Sequence, residues 1–187
     1  MRSLDDFLKG FLSADEHENS SSSKWVEWEH ISQGKTHCED CLVLDGCWFS
    51  KAEKPNAPLH PYCHCITKPL PYSRVLDQAN ARSTYSKFDP YLFNTQGKYT
   101  HQKEKLFKTW GYTVEDAAWL QEELEKQAVY KYSIGQYTLG RLNKDGQRIN
   151  IRIDLDRKDG SGPVSFVSGW MVQPNGALKL NTPYGGK

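Results

Sequence analysis

The amino-acid sequence predicts an α+β protein, in which a small cysteine-rich module precedes a domain of two helices and a four-stranded antiparallel sheet. Three observations lead to this prediction. All five cysteines of the 187-residue chain lie between positions 38 and 65. Two helical patterns follow, over about residues 97–111 and 113–128. From Val129 onward the apolar residues recur with a period of two, which is typical of strands.

The composition limits the class of protein. With 37% hydrophobic residues, the chain suits a soluble globular fold. No stretch approaches the roughly 20 apolar residues of a membrane-spanning helix, and the N-terminus lacks the apolar core of a secretory signal, so we expect neither. The net charge is +1, but residues 83–187 are more basic than residues 1–82. That imbalance is compatible with an anionic partner or with an ordinary solvated surface.

Residues 1–23 combine the end of a helix with a connector. Five apolar residues recur at helical spacing: Leu4, Phe7, Leu8, Phe11 and Leu12. The sequence SADEHENSSSS that follows is polar and low in complexity. It therefore predicts a flexible connector.

Residues 24–72 contain two half-sites for a metal ion. A C-x2-C pair comes first and the sequence HPYCHC supplies the second half, and such short spacings present thiolates to one tetrahedral ion. Zinc is the usual ion among sulfur and imidazole ligands, and an odd number of cysteines argues against disulfides. Cys47 is interpreted as a buried free cysteine. We expect a structural zinc ion held by four of five candidates: Cys38, Cys41, His60, Cys63 and Cys65.

This module resembles the C-terminal segment of phage minor head proteins of the Mu F type. The likeness depends on a tryptophan (Trp25), the motif HC-x2-C, the sequence LDG and a final LHP-x-C-x-C, all in the same order. It covers about residues 24–72. The resemblance implies that the chain is the C-terminal fragment of a larger delivery protein or of a phage-like particle.

The second domain is predicted over residues 87–187, after a linker at residues 73–86 that lacks periodicity. In its first helix Thr100 lies near the N-cap and Gly111 ends the helix; Leu106, Phe107 and Trp110 share a face. The second helix begins at Thr113, with Asp116 three residues on as in a capping box. Its apolar face contains Val114, Ala117, Leu120 or Gln121, Leu124 and Ala128. The four strands are predicted in YKYSIGQYTLGRL, QRINIRIDL, VSFVSGWMV and ALKLNTPY.

The second domain is similar to the toxin domains of the barnase, EndoU, colicin and RelE fold group, the BECR fold. The shared features are KFDPYLFN, a helix that opens H-x-K-x-K-L-F, and a final strand that ends in TPY. Such domains end polymorphic toxins, including contact-dependent inhibition proteins and phage head-protein fusions. The resemblance implies an antibacterial ribonuclease without a catalytic metal, directed at tRNA or another structured RNA. It also implies a cognate immunity protein, and delivery by secretion or a phage-like particle into the cytoplasm of a target cell.

In this chemistry the ribose 2′-OH attacks the adjacent phosphate and leaves a cyclic phosphate, helped by a base, an acid and cations. The catalytic candidates are His101, Lys103, Arg152, Thr182 and Tyr184, and the substrate-binding candidates are Arg148 and Arg141. His101 titrates near neutrality, and the terminal T-x-Y resembles the hydroxyl pair of EndoU-like domains. EndoU enzymes use two histidines where this domain has one, which favours an arrangement closer to the RelE and colicin members.

Each candidate has a structural alternative. His101 and Lys103 also suit a solvated helix surface, and Tyr184 also suits a buried strand end. Arg148 and Arg152 also suit a salt-bridged sheet face with Asp154.

Two other functions compete with the ribonuclease. One is a phage head component that binds protein or nucleic acid without enzymatic activity. The other is a DNase, which would need a metal-binding acidic cluster such as Asp154, Asp156 and Asp159. These three lie on a strand end and its turn, which is a poor position for such a cluster.

Overall fold

The structure is a computed structural model that describes residues 23–32, 38–93 and 103–185. These residues form two β-sheets and four α-helices around one hydrophobic cluster, which confirms the predicted α+β class. The helix end predicted near the N-terminus lies outside the described residues.

The first sheet belongs to the cysteine-rich part of the chain. Strands β1 (Trp25–Glu29), β2 (Trp48–Ser50) and β3 (Ile66–Leu70) are antiparallel, in the order β2-β1-β3. Helix α1 (Glu39–Leu42) begins directly after Cys38. The tryptophans of β1 and β2 are buried, so this small sheet is held by aromatic packing as well as by the cysteine cluster.

The segment between the two sheets is structured, whereas the sequence predicts a linker at residues 73–86. It contains helix α2 (Tyr72–Gln78) and strand β4 (Asn80–Arg82). Strand β4 pairs in parallel with β8 (Ala177–Thr182) and forms one edge of the second sheet. A strand of three residues is too short to produce a readable periodicity, which is why the sequence pattern missed it.

The second sheet has five strands, where the sequence predicts four. Strands β5 (Thr138–Asn143), β6 (Gly146–Asp156) and β7 (Pro163–Gln173) continue antiparallel into β8, and the parallel β4 is the additional strand. The strand order is β4-β8-β7-β6-β5. The alternation expected for β6 is present. Its buried hydrophobic residues are Ile149, Ile151, Ile153 and Leu155.

Helices α3 (Lys103–Thr109) and α4 (Ala117–Ser133) follow the predicted order. Thr113 and Asp116 form the predicted capping box in a 3₁₀ turn before α4. The prediction that strand periodicity begins at Val129 is wrong, because α4 continues to Ser133. The buried apolar residues of α4 are Ala117, Leu120, Leu124, Ala128 and Tyr132. The helices in the described parts of the chain lack the length and the apolar composition of a membrane-spanning segment.

The two sheets share one core. The buried Tyr132 hydroxyl of α4 donates a 2.6 Å hydrogen bond to the Trp48 carbonyl of β2. The Tyr137 hydroxyl accepts from the Ser50 amide and donates to the Glu53 carbonyl, both at 2.8 Å. These hydrogen bonds join the cysteine-rich part of the chain to the second sheet. The predicted division into residues 1–23, 24–72, 73–86 and 87–187 stays a prediction.

Candidate functional site

Four cysteines and two histidines converge beside β1 and α1. Cys41 Sγ lies 3.4 Å from His60 Nε2 and 3.5 Å from Cys63 Sγ. Cys65 Sγ lies 3.5 Å from His30 Nδ1. Cys38, Cys41 and His60 form one group whose ligand atoms all lie within 4.8 Å of one another, and His30, Cys41 and Cys65 form a second. We call these six residues the Cys/His cluster.

The spacing of the Cys/His cluster fits a tetrahedral ion. Zinc, with bonds of about 2.3 Å to sulfur and about 2.0 Å to nitrogen, places its ligand atoms about 3.5–3.8 Å apart. The three contacts of Cys41 and Cys65 described above, at 3.4–3.5 Å, are close to that range. Burial, followed by contacts with Cys38, Cys65 and Cys63, raises the pKa of the Cys41 thiol. A bound cation would offset this effect, because it takes thiolates as ligands and displaces their protons, so the cluster is able to hold a metal ion.

The structure adds His30 to the predicted ligand candidates and places Cys47 apart from them. His30 follows β1, and its amide is fixed by a 2.8 Å hydrogen bond to Asp45 Oδ1. Sequence reasoning missed His30 because it lies outside both cysteine motifs. The Cys47 thiol instead lies 3.6 Å from the Val43 carbonyl oxygen and 3.9 Å from that of Val172, and burial raises its pKa to about 12. It is the buried free cysteine that the sequence predicts.

A second cluster lies where α3 begins and β8 ends. Lys103 Nζ is 3.1 Å from Tyr91 Oη and 3.1 Å from Thr182 Oγ1. The Thr182 hydroxyl in turn donates to the Tyr184 carbonyl at 2.9 Å. Lys87 Nζ lies 5.6 Å from the centre of the Tyr91 ring. Lys103 and Thr182, two of the catalytic candidates named from the sequence, thus lie in contact. The structure places Tyr91 and Lys87 beside them.

The cations change the acidity of Tyr91. Burial raises the pKa of the Tyr91 phenol, but the hydrogen bond from Lys103 and the charges of Lys103 and Lys87 outweigh burial and lower it. A lowered pKa increases the fraction of Tyr91 present as phenolate near neutral pH, and the phenolate is the form that can accept a proton. Tyr91 lies in the sequence KFDPYLFN, which carries the family resemblance, but it was not among the predicted site residues.

Arg148 approaches this cluster across the sheet. A Cβ added to Gly169 of β7 would lie 3.1 Å from Thr182 Cγ2 and 3.7 Å from an Arg148 guanidinium nitrogen. The missing side chain of Gly169 therefore lets both groups occupy the same part of the sheet face. Arg148 forms no ion pair with the described residues. We call Lys87, Tyr91, Lys103, Arg148 and Thr182 the lysine–tyrosine cluster.

Residues 75–187 match the family described as Domain of unknown function (DUF6883). The chain belongs to the DUF6883 family. The DUF6883 region begins inside α2 and includes β4, which agrees with the place of β4 in the second sheet. It contains the whole lysine–tyrosine cluster, while the Cys/His cluster precedes it. No curated protein and no solved structure is significantly similar to the chain.

The other predicted residues of the DUF6883 region lie in different places. The exposed Arg152 pairs with Asp154 at 3.2 Å and donates to Ser165 Oγ at 2.7 Å, as in the salt-bridged alternative. Arg141 lies on β5, which β6 and β7 separate from β8. Half-buried Tyr184 packs beside the Phe166 ring, with centroids 5.9 Å apart. His101 lies outside the described residues, two positions before Lys103.

The acidic residues of the DNase alternative make other contacts. Asp154 forms a 2.6 Å ion pair with Lys131 of α4 as well as its pair with Arg152. Within the described parts of the chain, the groups of side chains close enough to hold a metal contain only cysteine and histidine. The acidic cluster that a metal-dependent DNase would need is therefore not found among these residues.

Proposed function

We propose that this protein is an antibacterial toxin whose DUF6883 region cleaves tRNA or another structured RNA without a catalytic metal. The observation that carries the proposal is the 3.1 Å approach of Lys103 Nζ to both Tyr91 Oη and Thr182 Oγ1. An ammonium group, a phenol of lowered pKa and a hydroxyl at one point are suited to a reaction that moves protons beside a phosphate.

The proposed reaction is a transesterification. The ribose 2′-oxygen forms a bond to phosphorus, its proton passes to the Tyr91 phenolate, and the bond from phosphorus to the 5′-oxygen breaks. Lys103 and Arg148 stabilise the charge that develops on the phosphate oxygens. The 5′-oxygen leaves with a proton from an acid, and His101, which the sequence offers as a general base or acid, is the candidate for that role. The products are a 2′,3′-cyclic phosphate and a 5′-hydroxyl end.

The Cys/His cluster has a structural role in this proposal. Its six donors would supply the four ligands of a zinc ion, and a fully ligated ion contributes folding energy rather than catalysis. The ion would anchor α1 and β3 to β1, the strand whose Trp25 ring packs 5.0 Å from Tyr132. The metal would thereby stabilise the surface on which the DUF6883 region rests.

The biological setting is proposed from the two family resemblances. A head-protein segment before a nuclease domain suits delivery by secretion or by a phage-like particle, followed by action in the target-cell cytoplasm. A producing cell then needs an immunity protein. Its surface would be acidic where it meets Arg148 and Lys103, because charge complementarity speeds and directs such binding.

Induced expression in a bacterial cytoplasm, followed by sequencing of RNA ends, tests the proposal. Wild type is expected to stop growth and to generate new RNA ends that carry a cyclic phosphate. Lys103→Ala and Tyr91→Phe are each expected to lower cleavage by about 100-fold or more, because each removes a group that acts in the transition state. Lys126→Ala, at an exposed lysine of α4, is the control and should keep full activity.

Melting temperatures separate loss of chemistry from loss of folding. The proposal fails if wild type neither impairs growth nor cuts RNA, or if folded Lys103→Ala and Tyr91→Phe proteins cut as well as wild type. The first outcome would favour a phage head component without enzymatic activity.

A further inference from the structure

An apolar cavity lies next to the lysine–tyrosine cluster. Its volume is about 710 Å³, and it is lined by Leu106, Trp110, Ser165, Phe166, Val167, Tyr184 and Gly185. This volume is within the range of small-molecule sites and is large enough for a nucleotide. The cavity lies between α3 and one edge of β7, beyond the point where β8 ends.

One wall of the cavity is aromatic. The Trp110 and Phe166 rings are stacked, with centroids 5.7 Å apart. Tyr184 packs against Phe166 at 5.9 Å and meets Phe107 edge-on at 6.3 Å. These contacts fix the Tyr184 ring while leaving it half-exposed, so it offers a flat apolar surface to a ligand.

The opposite wall is the edge of a β-strand. Strand β8 pairs with β7 only as far as Gly169, and the Gly185 amide then donates to the Val167 carbonyl at 3.0 Å. Alternate residues of a strand direct their backbone groups to the same side. Ser165, two residues from Val167, therefore points its N–H and C=O toward the cavity. An adjacent donor and acceptor match the hydrogen-bonding edge of a nucleobase.

The cavity is continuous with the cations of the proposed active site. A Cβ added to Gly185, in the cavity wall, would lie 3.7 Å from Lys103 Nζ. On the other side, an Arg152 guanidinium nitrogen donates to Ser165 Oγ at 2.7 Å. A ligand that fills the cavity would thus have an apolar body and an anionic group beside Lys103. A nucleotide of an RNA chain has this chemistry.

We propose that this cavity is a nucleobase subsite, in which a base stacks on Tyr184 and bonds to the backbone of Ser165. The inference rests on the proposed function, because RNA is its source of nucleotides. It goes further by assigning base stacking to Tyr184 and base preference to Ser165, next to the residues that act on the phosphate. Stacking accepts every base, so the preference comes from the hydrogen bonds to Ser165.

Binding of 3′-mononucleotides to the full chain tests the subsite. Titration calorimetry compares the four nucleotides with ribose 5-phosphate, which lacks a base. At least one nucleotide is expected to bind about 10-fold or more tightly than ribose 5-phosphate, and Tyr184→Leu is expected to remove most of this difference. Equal binding of ribose phosphate and all nucleotides, or unchanged binding by a folded Tyr184→Leu protein, would overturn the inference.

Two substitutions at Ser165 test the hydrogen bonds. Ser165→Ala removes the hydroxyl but keeps the amide, so the preference among bases should persist. Ser165→Pro removes the amide at a strand edge, where proline costs no bond between strands. It should reduce the preference by about 10-fold, the value of one good base contact. Equal preferences in the two folded variants would contradict the role of the amide.

The two proposals fail in distinguishable ways. RNA cleavage without base preference, together with equal binding of all nucleotides, would retain the ribonuclease and reject the subsite. Tyr184-dependent nucleotide binding by a protein that cuts no RNA would retain the subsite and reject the enzyme.

Discussion

Replacement of Tyr132 by phenylalanine tests whether the two sheets fold as one unit. The Tyr132 side chain is fully buried, and its hydroxyl donates a 2.6 Å hydrogen bond to the Trp48 carbonyl. Phenylalanine keeps the ring, including its 5.0 Å contact with Trp25, and removes only the donor. The substitution therefore isolates one hydrogen bond between α4 and β2.

The expected loss of unfolding free energy is about 1–3 kcal/mol, since the buried Trp48 carbonyl is left without this donor. Tyr137→Phe removes a second bridge, in which the hydroxyl bonds to both Ser50 and Glu53. Because the Tyr132 and Tyr137 rings lie 5.5 Å apart, the two effects are expected to be non-additive by about 0.5 kcal/mol or more.

Urea denaturation followed by far-UV circular dichroism and by tryptophan fluorescence measures both effects. Of the six tryptophans, Trp25, Trp28 and Trp48 lie in the first sheet and Trp110, Trp119 and Trp170 lie in the second part of the fold, so fluorescence reports on both parts. Most of the strand signal in circular dichroism comes from the second sheet. Coincident transitions in wild type, with lower midpoints in both variants, are expected for one cooperative unit. Separate transitions, or a Tyr132→Phe midpoint equal to that of wild type, would refute the shared-core argument.

Two further predictions concern charge and metal. Burial raises the pKa of Asp154, but hydrogen bonds from Lys131 and Ser165 lower it overall, to about 2, below its value in the unfolded chain. Asp154→Asn should therefore lower the free energy of unfolding by about 1 kcal/mol at pH 7, a value that allows for solvent screening of this exposed carboxylate. In urea titrations, the difference in unfolding free energy from wild type should disappear as the pH falls from about 4 to about 2. A difference that grows toward pH 2 would contradict this sign. Metal analysis of purified protein should find about one zinc per chain in wild type and in Cys47→Ala, and none in Cys41→Ser; zinc retained by a folded Cys41→Ser protein would reject the ligand assignment.

Long periodic segments were predictable from the sequence. The buried alternation of β6 and the apolar face of α4 follow from spacing alone, because each repeats over several residues. The C-terminal end of α4 was not predictable in the same way. Aromatic and β-branched residues near Val129 favour strands locally, but this segment is helical in the fold, where Tyr132 packs against Trp25 and bonds to the Trp48 carbonyl.

The candidate sites were predictable in part. The four clustered cysteines and His60 follow from motif spacing, and Lys103 and Thr182 follow from the family resemblance. His30 and Tyr91 join these sites through tertiary packing, which the local sequence around either residue does not encode. Tyr91 and Thr182 are separated in sequence by about half of the chain, so only the folded structure brings the two into contact.

The turn between β7 and β8 restricts where the chain can be divided. Gly176 has a positive φ of 73°, and a Cβ there would lie 2.5 Å from the Trp48 ring, so the turn fits closely against the indole. A truncated protein that starts at residue 75, where the family match begins, would expose this turn and the Tyr132 side chain to water. Aggregation is the expected fate of such a truncation. A fusion of the DUF6883 region to another protein would therefore have to include residues 23–74 or supply an equally flat aromatic surface in their place.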